Sequence, residues 1–362
     1  MEYRNMKTIG IDIGALAITD DRLKVGVYRV THELIKEIAL RDKKNTYRLY
    51  SFQKDIPLTL PKNIQQRALT PSFGYKSIRL PWELFQYPVD IFIGPQQMLP
   101  NATIAKKIVI IYDIAFLRYP EWYAGSVKKL SDMTEQAVKN ADVIIVISKS
   151  TKQEIMKVYE VDAKKIVVSY PGIYQLFTPY GEKYSNSRPY ILYVGSQKRG
   201  KNLPNAIRAF AQFQKKTKVA YDFIWVGGDY WPDMEIDALL HSTKVNTYIK
   251  KIGVVSDETL AALYRGATAY FSPSYWEGFG LGAAEAMASG CPVIVSDRGA
   301  YPEVVKDAGI YVDPDDINQM VEALMSVTTN MKKRSMMIRD GIRRSKRFTW
   351  KKFAKAILDQ YK

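Results

Sequence analysis

Tyr275-Trp-Glu-Gly-Phe-Gly-Leu-Gly-Ala-Ala-Glu-Ala-Met-Ala-Ser-Gly-Cys-Pro-Val-Ile-Val-Ser-Asp297 runs from a glycine-rich loop into a helix over Leu281–Ala288 and then a strand over Cys291–Ser296. Gly278, Gly280 and Gly282 let backbone N–H groups approach an anion closely. The helix that starts near Leu281 turns its positive end to the same place. Glu285, one turn in, suits a ribose diol beside the phosphates. Glu277, in the loop, can reach a sugar on their other side. By itself this pattern also fits an ordinary glycine turn with two surface carboxylates.

Working outward, the same strand–loop–helix logic recurs. Tyr190-Ile-Leu-Tyr-Val-Gly-Ser-Gln-Lys-Arg-Gly-Lys-Asn-Leu203 is a strand, a glycine turn at Gly195 and a basic cluster opening a helix. Lys198, Arg199 and Lys201 at a strand's carboxyl end are placed to hold two phosphates. Near the start, Gly10-Ile-Asp-Ile-Gly-Ala-Leu16 leads to Val25-Gly-Val-Tyr-Arg-Val-Thr-His-Glu-Leu34, where Gly26 opens a helix.

Short β-branched runs predict strands at Thr8–Ile13, Tyr47–Phe52, Asp90–Gly94, Lys107–Tyr112, Val143–Ser148 and Ile166–Ser169. A second set falls at Tyr190–Gly195, Asp222–Gly227, Thr247–Ile252, Ala269–Ser272, Cys291–Ser296 and Gly309–Val312. Helical stretches alternate with them, which argues for α/β architecture with doubly wound parallel sheets. Tyr170–Pro189, rich in proline, glycine, tyrosine and serine, reads as a linker. The expected layout is therefore a Rossmann-like domain over 1–170, joined by the final helix 350–362, a linker over 171–189, and a second Rossmann-like domain over 190–349.

The 362 residues are 47% hydrophobic and 25% charged, a balance that excludes a disordered chain or a disulfide scaffold. Lys and Arg number 53 against 37 Asp and Glu, a net +16 that favours anionic partners. One cysteine, Cys291, and two histidines fit a reducing, cytoplasmic setting and are too few for most zinc sites. No signal peptide or spanning segment is legible. Between Met331 and Lys355 eleven basic residues face one acid, Asp340. That stretch is read either as a solvated helical face or as an attraction to anionic lipid at a membrane surface. Nucleic acid is not expected, because no binding motif accompanies the charge.

Taken together these segments resemble the retaining GT-B glycosyltransferases of family four, the group that holds glycogen-synthase-like and α-mannosyltransferase enzymes. The resemblance also covers Tyr112-Asp-Ile-Ala-Phe-Leu-Arg-Tyr-Pro-Glu121, Gly253-Val-Val-Ser-Asp-Glu258, Ser272-Pro-Ser and Tyr301-Pro-Glu-Val304. It implies two doubly wound domains facing across a cleft. It further implies that Glu277 contacts the donor sugar and that Gly278, Phe279, Gly280 and Leu281 offer backbone contacts. Glu285 would hold the ribose, and Lys201 with Arg199 would neutralise the diphosphate. Gly253, Val254, Val255 and Ser256 would meet the base, and Gly26 would close over the phosphate. Tyr112 and Asp113 would line the sugar pocket beside the acceptor.

Three departures stand out. Tyr112 occupies the place of a usual histidine, Arg199 is displaced by one residue, and Gly282 stands where proline is common. The expected reaction is retaining, metal-independent and cofactor-free. It moves a hexose, mannose favoured, from a nucleotide diphosphate sugar such as GDP-mannose to a glycan or lipid-linked acceptor. The competing readings are a non-catalytic GT-B scaffold and a transferase specific for UDP-glucose or a deoxysugar. An actin-like ATPase, suggested by Ile9-Gly-Ile-Asp-Ile-Gly14, lacks the Thr or Ser that should follow that loop. Asp313-Pro-Asp-Asp316 reads as a helix-capping loop rather than a metal site.

Overall fold

The structure, a computed structural model, describes residues 6–18, 20, 26–54, 56–100, 103–123, 125–228, 234–242 and 245–362. Val25 of the first glycine motif lies outside them. The chain divides into two compact units, Met1–Gly172 with Trp350–Lys362, and Ile173–Thr349.

The first unit alternates strand and helix as its β-branched runs predict. Its elements are β1 (Thr8–Asp12), α1 (Gly26–Arg41), β2 (Thr46–Ser51), β3 (Ile64–Ala68), α2 (Leu80–Gln86), β4 (Ile91–Gly94) and β5 (Lys106–Ile111). They continue with α3 (Ala115–Arg118), α4 (Val127–Asn140), β6 (Val143–Val146), α5 (Lys149–Tyr159) and β7 (Ile166–Val168). The strands form one parallel sheet in the order β3-β2-β1-β4-β5-β6-β7. Central strands are apolar on both faces, as a helix-covered parallel sheet requires: Ile91, Phe92 and Ile93, and Ile108 through Ile111, are all buried. β3 departs from this rule. It is an edge strand of sequence Ile-Gln-Gln-Arg-Ala in which Ile64 alone is buried, so it carries no run that a pattern reading would detect.

The second unit contains β8 (Tyr190–Val194), α6 (Leu203–Lys216), β9 (Asp222–Val226), α7 (Met234–Ser242), β10 (Ile249–Gly253), α8 (Asp257–Gly266) and β11 (Ala269–Ser272). It ends with α9 (Leu281–Ala288), β12 (Val293–Ser296), α10 (Tyr301–Val305), β13 (Gly309–Val312), α11 (Ile317–Thr329) and α12 (Met331–Ser345). Its parallel sheet has the order β10-β9-β8-β11-β12-β13. β10 begins later than its apolar pattern suggests because Asn246–Tyr248 form a 3-10 turn. Asp316 caps α11 by accepting the Gln319 N–H at 2.9 Å, so the acidic run after β13 is a helix start. Cys291, just before β12, is buried, and burial pushes its thiol up to about 12.

One stretch differs from its sequence reading, and a second is refined. Residues 173–189 belong to the second unit rather than forming a free connector. Arg265 of α8 donates to the carbonyls of Leu176, Thr178 and Glu182, and Tyr184 N–H donates to Ala262 O. The basic run from Met331 is a helix with Lys332, Lys333, Arg339 and Arg343 exposed, in line with a solvated helical face, and it packs through the buried Met337, Gly341 and Ser345. Its Arg344 donates to the carbonyls of Glu303 and Val304, while Arg339 and Arg343 flank Asp340. Part of the positive surplus is therefore structural. The final helix, α13 (Trp350–Leu358), returns to the first unit and packs on α1. Gly172 makes that return close, since a Cβ there would lie 2.2 Å from Trp350 N. No helix among the described residues is long and apolar enough to cross a membrane.

Candidate active site

In the second sheet β8 and β11 are neighbours although β9 and β10 separate them in sequence. The strand order reverses there, and the loops leaving such a pair at their carboxyl ends part to form a ligand crevice. The loop after β8 contains Arg199–Lys201 as a single 3-10 turn, closed by Asn202 in a left-handed conformation. Asn202 is buried, and its amide donates to Pro273 O at 3.0 Å and Pro314 O at 2.7 Å. Gly200 O accepts the Tyr275 N–H at 2.9 Å. These bonds staple the loop after β8 to the loop after β11. As a result Lys201 Nζ lies 2.6 Å from Glu277 Oε1, with both side chains mostly shielded from water.

The backbone of Glu277 is clamped from its other side. Gly299 is left-handed, and a Cβ on it would sit 2.6 Å from Glu277 O, which also accepts the Ala300 N–H at 3.0 Å. Gly280, at φ +90°, caps α9; a Cβ there would lie 2.6 Å from the Tyr301 ring. Phe279 points into the core against Phe348, leaving its backbone as the part that a ligand can meet. Glu285 is buried in the second turn of α9, and Tyr264 OH donates toward its Oε2 at 3.5 Å. Neither glutamate is a plain surface carboxylate.

Burial, together with the nearby charge of Glu277, holds the hydroxyls of Tyr193, Tyr270 and Tyr301 far above the ordinary phenol range. They stay neutral: Tyr193 OH donates to Lys201 O at 3.1 Å, and Tyr301 OH and Ser272 Oγ share a hydrogen bond at 2.7 Å. Tyr270 also gives a packing reason for Gly282, which the sequence reading took as a place of close backbone approach where proline is common. A Cβ on Gly282 would lie 2.6 Å from Tyr270 OH. Gly282→Ala is expected to lower stability by about 1–3 kcal/mol through overpacking, and adding Tyr270→Phe should recover part of that loss. Thermal melts of the two single variants and the double variant check this.

The other residues that the resemblance assigns to the donor lie along the carboxyl edge of the same sheet. Gly195 N–H donates to Val226 O, and Gly227 N–H donates to Gly253 O. Val254 is exposed, Val255 half-buried, and Ser256 caps α8 by accepting the Thr259 N–H at 3.3 Å. Arg199 is exposed in the turn that carries Lys201.

The first unit gathers its own set of residues. Gly26 opens α1, and a Cβ on it would meet nothing within 4 Å, so packing does not demand glycine there. Tyr112 follows β5 and is buried, which raises its hydroxyl pKa. That hydroxyl, close to Thr31 of α1, makes no hydrogen bond of ordinary geometry among the described residues. Asp113 accepts the Ala115 N–H at 3.0 Å and so starts α3. Asn202, Tyr264 and Tyr301 lie in segments that carry the resemblance, but no role was read for them, and Gly299 and Tyr270 were not singled out. Their roles arise from contacts between distant segments.

Two doubly wound parallel sheets, the second with a basic turn and an acidic glycine loop at its switch point, make up the GT-B fold. A family model described as "Glycosyl transferases group 1" matches residues 181–344. The O-antigen chain mannosyltransferase B of Escherichia coli is 27% identical over 328 residues, covering 88% of this chain and 84% of that one. The O-antigen chain mannosyltransferase RfbU of Salmonella typhimurium is 30% identical over 225 residues, 62% of this chain and 61% of its own length. The fold matches sucrose-phosphate synthase of Thermosynechococcus elongatus with a TM-score of 0.81 over 98% of each chain, at 19% identity. Residues 181–344 are thus similar to the group 1 glycosyl transferases, and the whole chain has the GT-B fold.

Proposed function

We propose that this glycosyltransferase moves a hexose, mannose foremost, from a nucleotide diphosphate sugar to a glycan or lipid-linked acceptor, with retention and without a metal. The observation that carries the reading is the Lys201–Glu277 contact at 2.6 Å, set beside the amino end of α9. Breaking the sugar–phosphate bond leaves new negative charge on the diphosphate. Lys201, Arg199 and the helix end are fixed positive groups that stabilise it without reorganising. Glu277 holds the sugar hydroxyls and Glu285 the ribose. The acceptor oxygen bonds to the anomeric carbon on the face that the diphosphate leaves, and its proton passes to a departing phosphate oxygen. The first unit offers the acceptor a site around Gly26, Tyr112 and Asp113.

Mannose is favoured because both curated relatives above are named as mannosyltransferases. A lipid-linked acceptor would place the enzyme peripherally at the cytoplasmic face of a membrane. The test is a thermal-shift panel of nucleotide sugars followed by product analysis. GDP-mannose at about a hundredfold its Kd is expected to add roughly 2.7 kcal/mol of stability. Turnover should persist in EDTA and give the α-linked product. Preference for UDP-glucose would change the donor. Binding of a donor that no acceptor discharges would leave a scaffold.

A further inference from the structure

The first unit carries an apolar row that its own fold leaves uncovered. Gly74 begins a wide helical turn over Tyr75–Arg79 that runs directly into α2. The inner face of this segment buries Tyr75, Leu80 and Leu84, and Tyr75 OH donates to the buried carboxylate of Asp12 at 2.9 Å. The outer face is equally apolar. Ile78, Trp82 and Phe85 are 64%, 60% and 77% exposed, and Phe73 just ahead of them is 84% exposed. Positions 78, 82 and 85 follow the i, i+4, i+7 spacing of one helical stripe. The Trp82 and Phe85 rings stack at 5.9 Å.

Single exposed hydrophobic residues are common, but a contiguous row of large ones marks a docking surface. The polar groups around this row are mostly cationic. Lys76 and Arg79 lie in the same turn, and Arg79 donates to the carbonyls of Thr70 and Phe73. Behind Tyr87 stand Arg67, 5.1 Å over its ring, and Arg48, which donates to its carbonyl. Of the nearby acids, Glu83 pairs with Arg67 and Asp90 accepts the Thr8 N–H.

We propose that this face docks on an anionic lipid surface, with Ile78, Trp82 and Phe85 entering the interfacial layer and Lys76 and Arg79 meeting the headgroups. An aromatic and aliphatic row flanked by cations is the pattern of an interfacial helix. A second copy fits poorly, because self-pairing through a twofold axis sets Lys76 and Arg79 against their own like charges. The proposal rests on the membrane-facing part of the functional reading and replaces the basic α12 as its principal contact.

The experiment is co-sedimentation of the full chain with phosphatidylcholine vesicles, with and without phosphatidylglycerol, and of Ile78→Ser/Trp82→Ser/Phe85→Ser alongside. These positions are exposed, so the triple variant should keep its fold and its thermal shift with GDP-mannose. Wild type is expected to bind the anionic vesicles, more weakly at high salt, and the triple variant to lose roughly tenfold or more of that affinity. Trp82→Phe should remove the fluorescence blue shift seen on binding. Equal binding by wild type and triple variant overturns the assignment and leaves the membrane reading standing on another surface. No vesicle binding by wild type overturns both. Self-association that disappears in the triple variant would instead make a second copy the occupant. Loss of the GDP-mannose shift in wild type would count against the donor reading without touching the vesicle result.

Discussion

Lys201→Ala is expected to lower turnover by on the order of 10²–10³, the loss typical of one preorganised transition-state donor. The effect should fall on kcat more than on KM, because the charge that Lys201 meets grows as the sugar–phosphate bond breaks. The substitution also strips Glu277 of its partner at 2.6 Å, leaving a mostly shielded carboxylate uncompensated. Lys201→Arg, which keeps the charge, therefore serves as the companion variant and should retain more activity. Steady-state kinetics with saturating donor, beside a thermal melt, separates the catalytic loss from any structural one. Activity within a few-fold of wild type would remove Lys201 from the reaction.

Glu285→Ala should weaken binding of the free nucleotide diphosphate by about 1.5–3 kcal/mol, or about 10- to 150-fold, as expected for a lost hydrogen bond to a charged group. The carboxylate is buried in the second turn of α9, so the cost should appear mainly in affinity and less in turnover at saturation. Glu285→Gln keeps the shape beside Tyr264 and isolates the contribution of the charge. Calorimetric titration of GDP and UDP checks both variants. Unchanged affinity would end the ribose assignment.

The sheets were legible because a parallel strand covered on both faces must be apolar where it is covered, and the runs 108–111 and 293–295 satisfy that condition. The edge strand Ile64–Ala68 has no such obligation and went unread. The helix over 331–345 was legible as a largely solvated face, but its anchors were not, because three small or flexible residues hold it and cations dominate the rest. At the site, the glycine loop and the basic turn announced themselves as local motifs. Their meeting did not, because 76 residues separate Lys201 from Glu277. What joins them is the Asn202 amide on Pro273 and Pro314 and the Gly200–Tyr275 backbone bond. Gly282 of α9 shows the same limit, since its need for a missing side chain comes from a tyrosine on β11.

Cys291 is the chain's sole cysteine, and its thiol is both enclosed and reluctant to ionise. Since thiolates, not thiols, attack maleimides and disulfides, the native sulfur should stay silent toward such reagents while the fold holds. A single engineered cysteine on the surface can then accept a fluorophore or spin label stoichiometrically, with no need for a cysteine-free background.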